Sequence, residues 1–235
     1  MSYFDSTETF DTALSEIDLL LSRISDGRNE PDGATYLKAA IVFLAAKLEA
    51  FAENIVVDYV DALSSRKPKA RYISKAVKEK STKFLLEQIG VTEDGFSVKK
   101  EVLRKLSLAA SLWNDDATID ELRVNSKFNY GKHGSGEFCK LFSRIGFPDI
   151  FVLCQVTLEG SDSMIVTSGR ESISADIDSL TSIRNNIVHG DANPSNVTFQ
   201  QVEGYRRRIW EFCYLIDLQL QRELENLDAS LVSGP

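Results

Sequence analysis

The sequence predicts an all-α protein: an up-and-down helical bundle with additional helical inserts, forming one domain over residues 1–235. Three observations predict it. Apolar residues recur at three- and four-residue spacing through one long stretch after another, the period of a helix with one buried side. Strand signals are nearly absent; within residues 157–167 the apolar run Met164-Ile165-Val166 is too short to suggest a sheet. Only five prolines occur and no long Gly/Ser linker divides the chain, while 43% hydrophobic and 26% charged residues suit a globular domain with a proper core.

Taken in order, Phe10, Leu14, Ile17, Leu21 and Ile24 place a first helix over about 5–25. The turn-rich run Asp26 to Gly33 follows. A long helix then covers about 34–64, apolar at Tyr36, Ala40, Phe43, Leu44, Leu48, Phe51, Ile55 and Tyr59, a broad stripe fit for the centre of a bundle. Arg71 to Gly90 reads as a basic helix with Ile73, Val77, Phe84, Leu85 and Ile89 inward and Lys75, Lys78 and Lys83 outward. Another helix covers 98–113, and 114–136 reads as a polar loop with short helical turns. Short helices are expected over 137–145, ending at Gly146, and over 149–156.

The next helix carries Ile173, Ile177, Leu180, Ile183 and Ile187, with Ser168 and Glu171 spaced for a capping box and Gly190 placed to close it before Pro194. Thr198 and Gln201 form a second plausible capping box. From there a final helix runs to about Leu227, with Val202, Tyr205, Ile209, Phe212, Ile216, Leu220 and Leu224 on one side and Trp210, Tyr214 and Leu218 widening it. So broad an apolar face suggests a partner, such as a second copy of the chain. The folded core should span about 5–228, leaving a frayed tail over 229–235.

Two polar residues of the 173–190 helix need a reason to be there. At about 100° per residue, Arg184 shares the side of Ile173, Ile177 and Ile187, so its guanidinium must be paired or face something polar. His189 lies one turn beyond Asn185 and Asn186. A cation and a titratable imidazole at one helix end suit recognition of a phosphate and movement of a proton; they equally suit a structural ion pair and a cap on the last carbonyls. Glu49 and Glu53, one turn apart on the long helix, either supply an acid to Arg184 or orient His189, or are surface acids. His133, among Gly131, Gly134 and Gly136, reads as a surface-loop residue.

Composition excludes several classes. A net charge of -8 argues against a general nucleic-acid coat protein. The charge is uneven, though: Arg66, Lys67, Lys69, Arg71, Lys75, Lys78, Lys80 and Lys83 meet one acid, Glu79, in their window. Such a strip is suited to tracking a phosphate backbone, with Lys69, Arg71, Lys75 and Lys78 as the RNA-binding candidates, or is a solvated helix face. Cys139, Cys154 and Cys213 form neither a metal-ligand spacing nor a disulfide framework, so no metal and no cofactor is expected. Nothing reads as a membrane span, and Met1 to Asp5 lacks a basic segment followed by an apolar one, so the expected location is a reducing cytoplasm.

Arg184-Asn185-Asn186-Ile187-Val188-His189-Gly190 resembles the Arg-Asn-x3-His signature of the HEPN superfamily, in which an Arg-x4-6-His motif lies on a late long helix. The branch it is most similar to is the RiboL-PSP type. Leu44 to Phe51 resembles that branch's Glu-bearing helix, and Asn129 to Gly134 followed by Leu141 to Phe147 resembles its middle region, so that the resemblance spans roughly residues 35–220. It implies a metal-independent endoribonuclease, acting as a homodimer with motifs from both subunits facing one cleft, in a toxin–antitoxin or phage-defence setting with a cognate antitoxin or defence partner. His189 would be the acid/base, since an ordinary imidazole titrates near about 6.5. Arg184 would clamp the phosphate, and Asn185 would position substrate or fix the imidazole, with Asn186 and Glu49 in support. The alternative is a catalytically silent HEPN module that binds a partner protein or nucleotide. One geometric difficulty stands: five residues apart on a helix, Arg184 and His189 are rotated by about 140°. Either the helix unwinds near His189, or Arg184 reaches over, or Arg184 serves the histidine of a second copy.

Overall fold

A computed structural model describes residues 3–25, 31–89, 96–128, 133–159, 165–168, 170–190 and 197–233. Its first helix, α1 (Asp5–Ser25), packs against the central helix α2 (Pro31–Ser65) and against α8 (Phe199–Ser233). Two distant carboxylates hold the start of α1. Asp217, fully buried on α8, accepts from the Phe4 amide at 3.0 Å and the Thr7 hydroxyl at 2.5 Å, while Asp58 accepts from the Ser6 amide at 3.0 Å. They answer amides that a helix start leaves unpaired, and they suit its positive end.

Helix α2 buries a broad side, with Leu37, Ala40, Ile41, Leu44, Leu48, Phe51, Ile55, Val56, Val60 and Leu63 in the core, and leaves a narrow exposed strip through Phe43, Ala46, Ala50, Asn54, Val57 and Asp61. That is broader than a single stripe and marks α2 as the helix the others surround. Of its expected inward residues Phe43 is the exception, exposed at 45%. A 3₁₀ turn (Ala70–Tyr72) precedes α3 (Lys75–Ile89), which pairs with α4 (Phe96–Ser111). The basic helix therefore begins later than the expected Arg71, and Lys78 is buried rather than outward.

Residues 114–128 contain no helix beyond a single turn closed by Ala117 N to Asn114 O at 2.9 Å. They form a strap across α2 and α3, held by Ile119 N to Pro68 O, Ala70 N to Ala117 O, Leu122 N to the Ser64 hydroxyl and Arg123 N to the buried Ser81 hydroxyl. Ile119 and Leu122 anchor it in the core. With its polar groups satisfied by neighbouring elements, the segment has no need of its own helix.

Helix α5 (Ser135–Ser143) starts and stops two residues before expectation, the short α6 (Ile150–Leu153) stops three residues early, and Gly146 takes a left-handed φ of 101° just after α5. A two-stranded antiparallel hairpin follows, β1 (Val156–Glu159) with β2 (Ile165–Ser168), pairing Val156 with Ser168 and Glu159 with Ile165. It corrects the expectation of no sheet: four residues a side suffice for a ribbon attached to a helical body. Helix α7 (Arg170–Gly190) packs on α2, α5 and α8. The side chains of Ser168 and Glu171, and residues 26–30, 129–132 and 191–196, lie outside the described residues, so the first capping box, the Asn129–Lys132 motif and Pro194 go with them. Gly190 is still helical.

Before α8 the second capping box forms as read: Thr198 N donates to Gln201 Oε1 at 2.9 Å and Gln201 N to Thr198 Oγ1 at 3.3 Å. Val202, Ile209, Phe212, Ile216, Leu220 and Leu224 are buried, and Phe151 stacks on Phe212 at 5.1 Å between ring centres. The helix continues to Ser233, so the expected frayed tail is helical through most of its length. The all-α class holds, with the hairpin as an appendage. No helix among the described residues is long and apolar enough to cross a membrane.

Candidate functional site

Three elements meet where α7 leaves the core. Its first turns are apolar and closed, with Ile173, Ile177 and Leu180 at most 1% exposed. Its last turns open: Ile183, Arg184, Asn185 and Ile187 are half-buried, and Asn186, Val188, His189 and Gly190 are exposed. Helix α7 is continuous through both Arg184 and His189. Unwinding near His189 is thereby excluded, and within one chain the two side chains leave the helix in different directions.

Arg184 points toward α2. Its Nη1 donates to Asn185 Oδ1 at 2.8 Å, and its charge acts on Glu49. Among the described residues no carboxylate comes within ion-pair distance of the Arg184 guanidinium. Burial lifts the Glu49 carboxyl above the ordinary carboxylate value; the charges of His133 and Arg184 pull it back down, and Glu53 pushes it up again.

His133 comes from the loop before α5. Its Nδ1 lies 2.9 Å from Glu49 Oε1, with both side chains 21% exposed. Among the described residues Nδ1 makes no hydrogen bond, so Glu49 meets it as a neighbouring charge. The loop is tied to α7: Asp178 accepts from Ser135 N and from Ser135 Oγ, both at 2.7 Å. Gly134 makes this possible, because at φ 99° a Cβ would sit 2.8 Å from Asp178 Oδ1. Glu53, one turn below Glu49, accepts from Lys127 Nζ at 2.6 Å and from Phe128 N at 2.9 Å, which pins the strap to the floor of the site. Arg144, at the end of α5, holds the strap from its other side by donating to Asn125 O and Lys127 O.

Helical packing thus gathers Glu49, Arg184 and Asn185, leaves Asn186 and His189 facing outward, and adds His133. Reading His133 as a surface-loop residue is corrected: it is half-buried against Glu49. The one signal in the sequence was its place among glycines just ahead of a Phe-rich helix, but nothing there linked that loop to α2.

The basic strip lies elsewhere, and carboxylates answer much of it. Arg71 pairs with Asp116, Lys75 sits 3.7 Å from Glu79, and the buried Lys78 reaches Asp115 at 3.6 Å. Lys69 is exposed, its backbone bridged to Thr118. Asp115 and Asp116 arrive on the strap from beyond the basic window, so the local charge excess read from the sequence is partly neutralised in space.

A helical bundle with a polar cluster where a late long helix leaves the core agrees with a HEPN-type domain. The RiboL-PSP-HEPN family model matches residues 8–222, and the chain belongs to that family. No curated protein and no solved structure matches the chain. Membership supports a ribonuclease or a nucleotide-binding module.

Proposed function

We propose that the chain is a metal-independent endoribonuclease of HEPN type, a toxin or phage-defence effector acting on RNA in the cytoplasm. The 2′-hydroxyl of one nucleotide gives its proton to a base and attacks the adjacent phosphorus. The bond from phosphorus to the 5′-oxygen breaks, that oxygen takes a proton from an acid, and a 2′,3′-cyclic phosphate remains. His189 transfers a proton; Arg184 offers its fork of donors to the phosphate as charge builds there. Asn185 fixes that fork, Glu49 sets the local field, and Asn186 lines the rim. Lys69, Arg71 and Lys75 have at most an outlying role in holding the RNA backbone.

The single observation that carries this reading is the half-buried Arg184 guanidinium held beside Glu49 by a neutral amide, with no carboxylate among the described residues closing it. Because His189 leaves α7 on another side, a homodimer in which Arg184 of one copy serves His189 of another is the arrangement the geometry supports best. A cognate antitoxin would then act by covering that cleft.

Cleavage of single-stranded RNA in EDTA tests the proposal, with His189→Ala and Arg184→Ala alongside. Metal-independent cleavage lost in both variants is expected. Mixing the two variants should restore part of the activity, since a mixed dimer keeps one intact combination. A second reading, a silent module that binds a partner protein or nucleotide, is favoured by Glu49 and Glu53, two carboxylates that would repel a phosphate backbone. Binding of RNA, nucleotide or protein with no cleavage by the unaltered chain would select it.

A further inference from the structure

We propose that His133 is a second proton-transfer group of the site, positioned by Glu49, which deepens the ribonuclease reading and rests on it. The chain has two histidines. The reaction asks for one group that takes a proton from the 2′-hydroxyl and one that gives a proton to the departing 5′-oxygen. Imidazole is the side chain whose ordinary titration range suits both tasks near neutrality. His189 is one such group, and His133 is the only other imidazole the chain can offer.

Its surroundings fit the role. The Nδ1 atom is turned into the protein toward Glu49 Oε1 at 2.9 Å. That leaves Nε2 as the nitrogen to meet substrate. A carboxylate beside one ring nitrogen biases the ring's orientation and sets which edge it presents to substrate. The same Glu49 feels the charge of Arg184, so imidazole and phosphate clamp share one carboxylate. The loop is fixed as well as close. Asp178, six residues before Arg184 on α7, holds Ser135 twice, so α7 sets the position of both the clamp and the imidazole. The charged groups facing His133 are Glu49 and Glu53 from α2, the latter paired with Lys127 of the strap, and Arg184 from α7; Arg144 lies behind the strap. Of these Glu49 is nearest.

In this assignment the protonated His133 gives its Nε2 proton to the 5′-oxygen as the phosphorus–oxygen bond breaks, while His189 takes the 2′-hydroxyl proton. Each imidazole ends in the opposite protonation state, and exchange with water restores both.

The test uses the full chain and a short single-stranded RNA in EDTA. His133→Gln should lower kcat at least about a hundredfold with little change in KM, and should remove one limb of the pH–rate profile. An RNA with sulfur in place of the 5′-bridging oxygen leaves without needing a proton. That substrate should recover most of the loss in His133→Gln and little of the loss in His189→Ala. Added imidazole should restore part of the activity of His133→Ala, a response that a purely structural histidine would not give. A His133→Gln enzyme with an unaltered rate and profile would overturn the assignment while leaving the ribonuclease standing. So would a slow variant whose activity neither the sulfur substrate nor imidazole recovers. No cleavage of any RNA by the unaltered chain would overturn both.

Discussion

Arg208 and Arg184 sit on neighbouring helices, both half-buried, and their side chains are held in opposite ways. Arg208 on α8 meets Asp176 on α7 through two parallel bonds, Nε to Oδ2 and Nη2 to Oδ1, the second at 2.9 Å. Its guanidinium also lies 5.6 Å from the centre of the Tyr205 ring. Fork and face are both taken, and the pair staples α7 to α8. Arg184, two turns further along α7 than Asp176, has a neutral amide on one nitrogen and a carboxylate near enough to feel but not to bind. A half-buried guanidinium left open is costly unless something else offsets it, and a transient anionic ligand is the natural candidate. One arginine belongs to the scaffold and the other to the cleft, though both fall on helical faces of ordinary pattern.

The sharpest way to break that contrast is to remove each arginine in turn. Arg184→Ala should cost RNA cleavage about a hundredfold to a thousandfold, the usual size for a lost charge-stabilising donor. Its thermal midpoint should stay within about two degrees of the parent, because no ion pair goes with it. An equal loss of stability would make Arg184 another staple. Arg208→Ala leaves Asp176 behind with both side chains at about a fifth exposed or less. It should lower the unfolding free energy by about 3 kcal/mol in a denaturant titration, with cleavage per folded molecule little changed. A cleavage defect in the folded fraction would mean that the staple reaches the chemistry.

A smaller effect concerns the thiols. Burial pushes Cys154 up to about 12 and Cys213 well above its ordinary value, whereas Cys139 is half-buried on α5. A thiol reagent at neutral pH should therefore label Cys139 first in the native protein, and all three cysteines at similar rates once the chain is unfolded. Early labelling of Cys213 would show that the α8 core opens far more readily than its packing implies.

Much of the bundle was legible because helical period is a local signal. Phe10, Leu14, Ile17 and Leu21 mark α1 to the residue, and Thr198 with Gln201 marks the start of α8. Arg184 was visible as a polar residue on an apolar stripe, Glu49 as one of two acids a turn apart on the central helix, and Asn185 through the family resemblance. What escaped was set by distant partners. The strap over 114–128 is held by Ser64, Ser81 and Glu53, none of which its own sequence announces. Lys78 is buried against Asp115, 37 positions on, so a charge count along the chain misplaced it. His133 needed α2 and α7 to be packed before its role had a shape.

Glu49 gives the finest measure of how open the Arg184 site is, through pH. Burial holds its proton in the folded state to a higher pH than the ordinary 4.5. A carboxyl shifted upward weighs against the fold once it ionises; its contribution is most favourable below that ordinary value and is lost as pH rises through the raised one. Glu49→Gln fills nearly the same space with no proton to lose. Between about pH 4 and pH 8 the Gln variant should therefore gain in thermal midpoint relative to the parent, with most of the change above the ordinary carboxylate value. Arg184 is one of two charges that hold the Glu49 value down, so placing Arg184→Ala beneath both proteins should widen the difference and move it to higher pH. Arg208→Ala beneath both should do neither, because Arg208 answers to Asp176. If the two arginine backgrounds gave the same pH curves, the field of Arg184 would not reach Glu49, and the site would lose the coupling that sets its arginine apart from the staple.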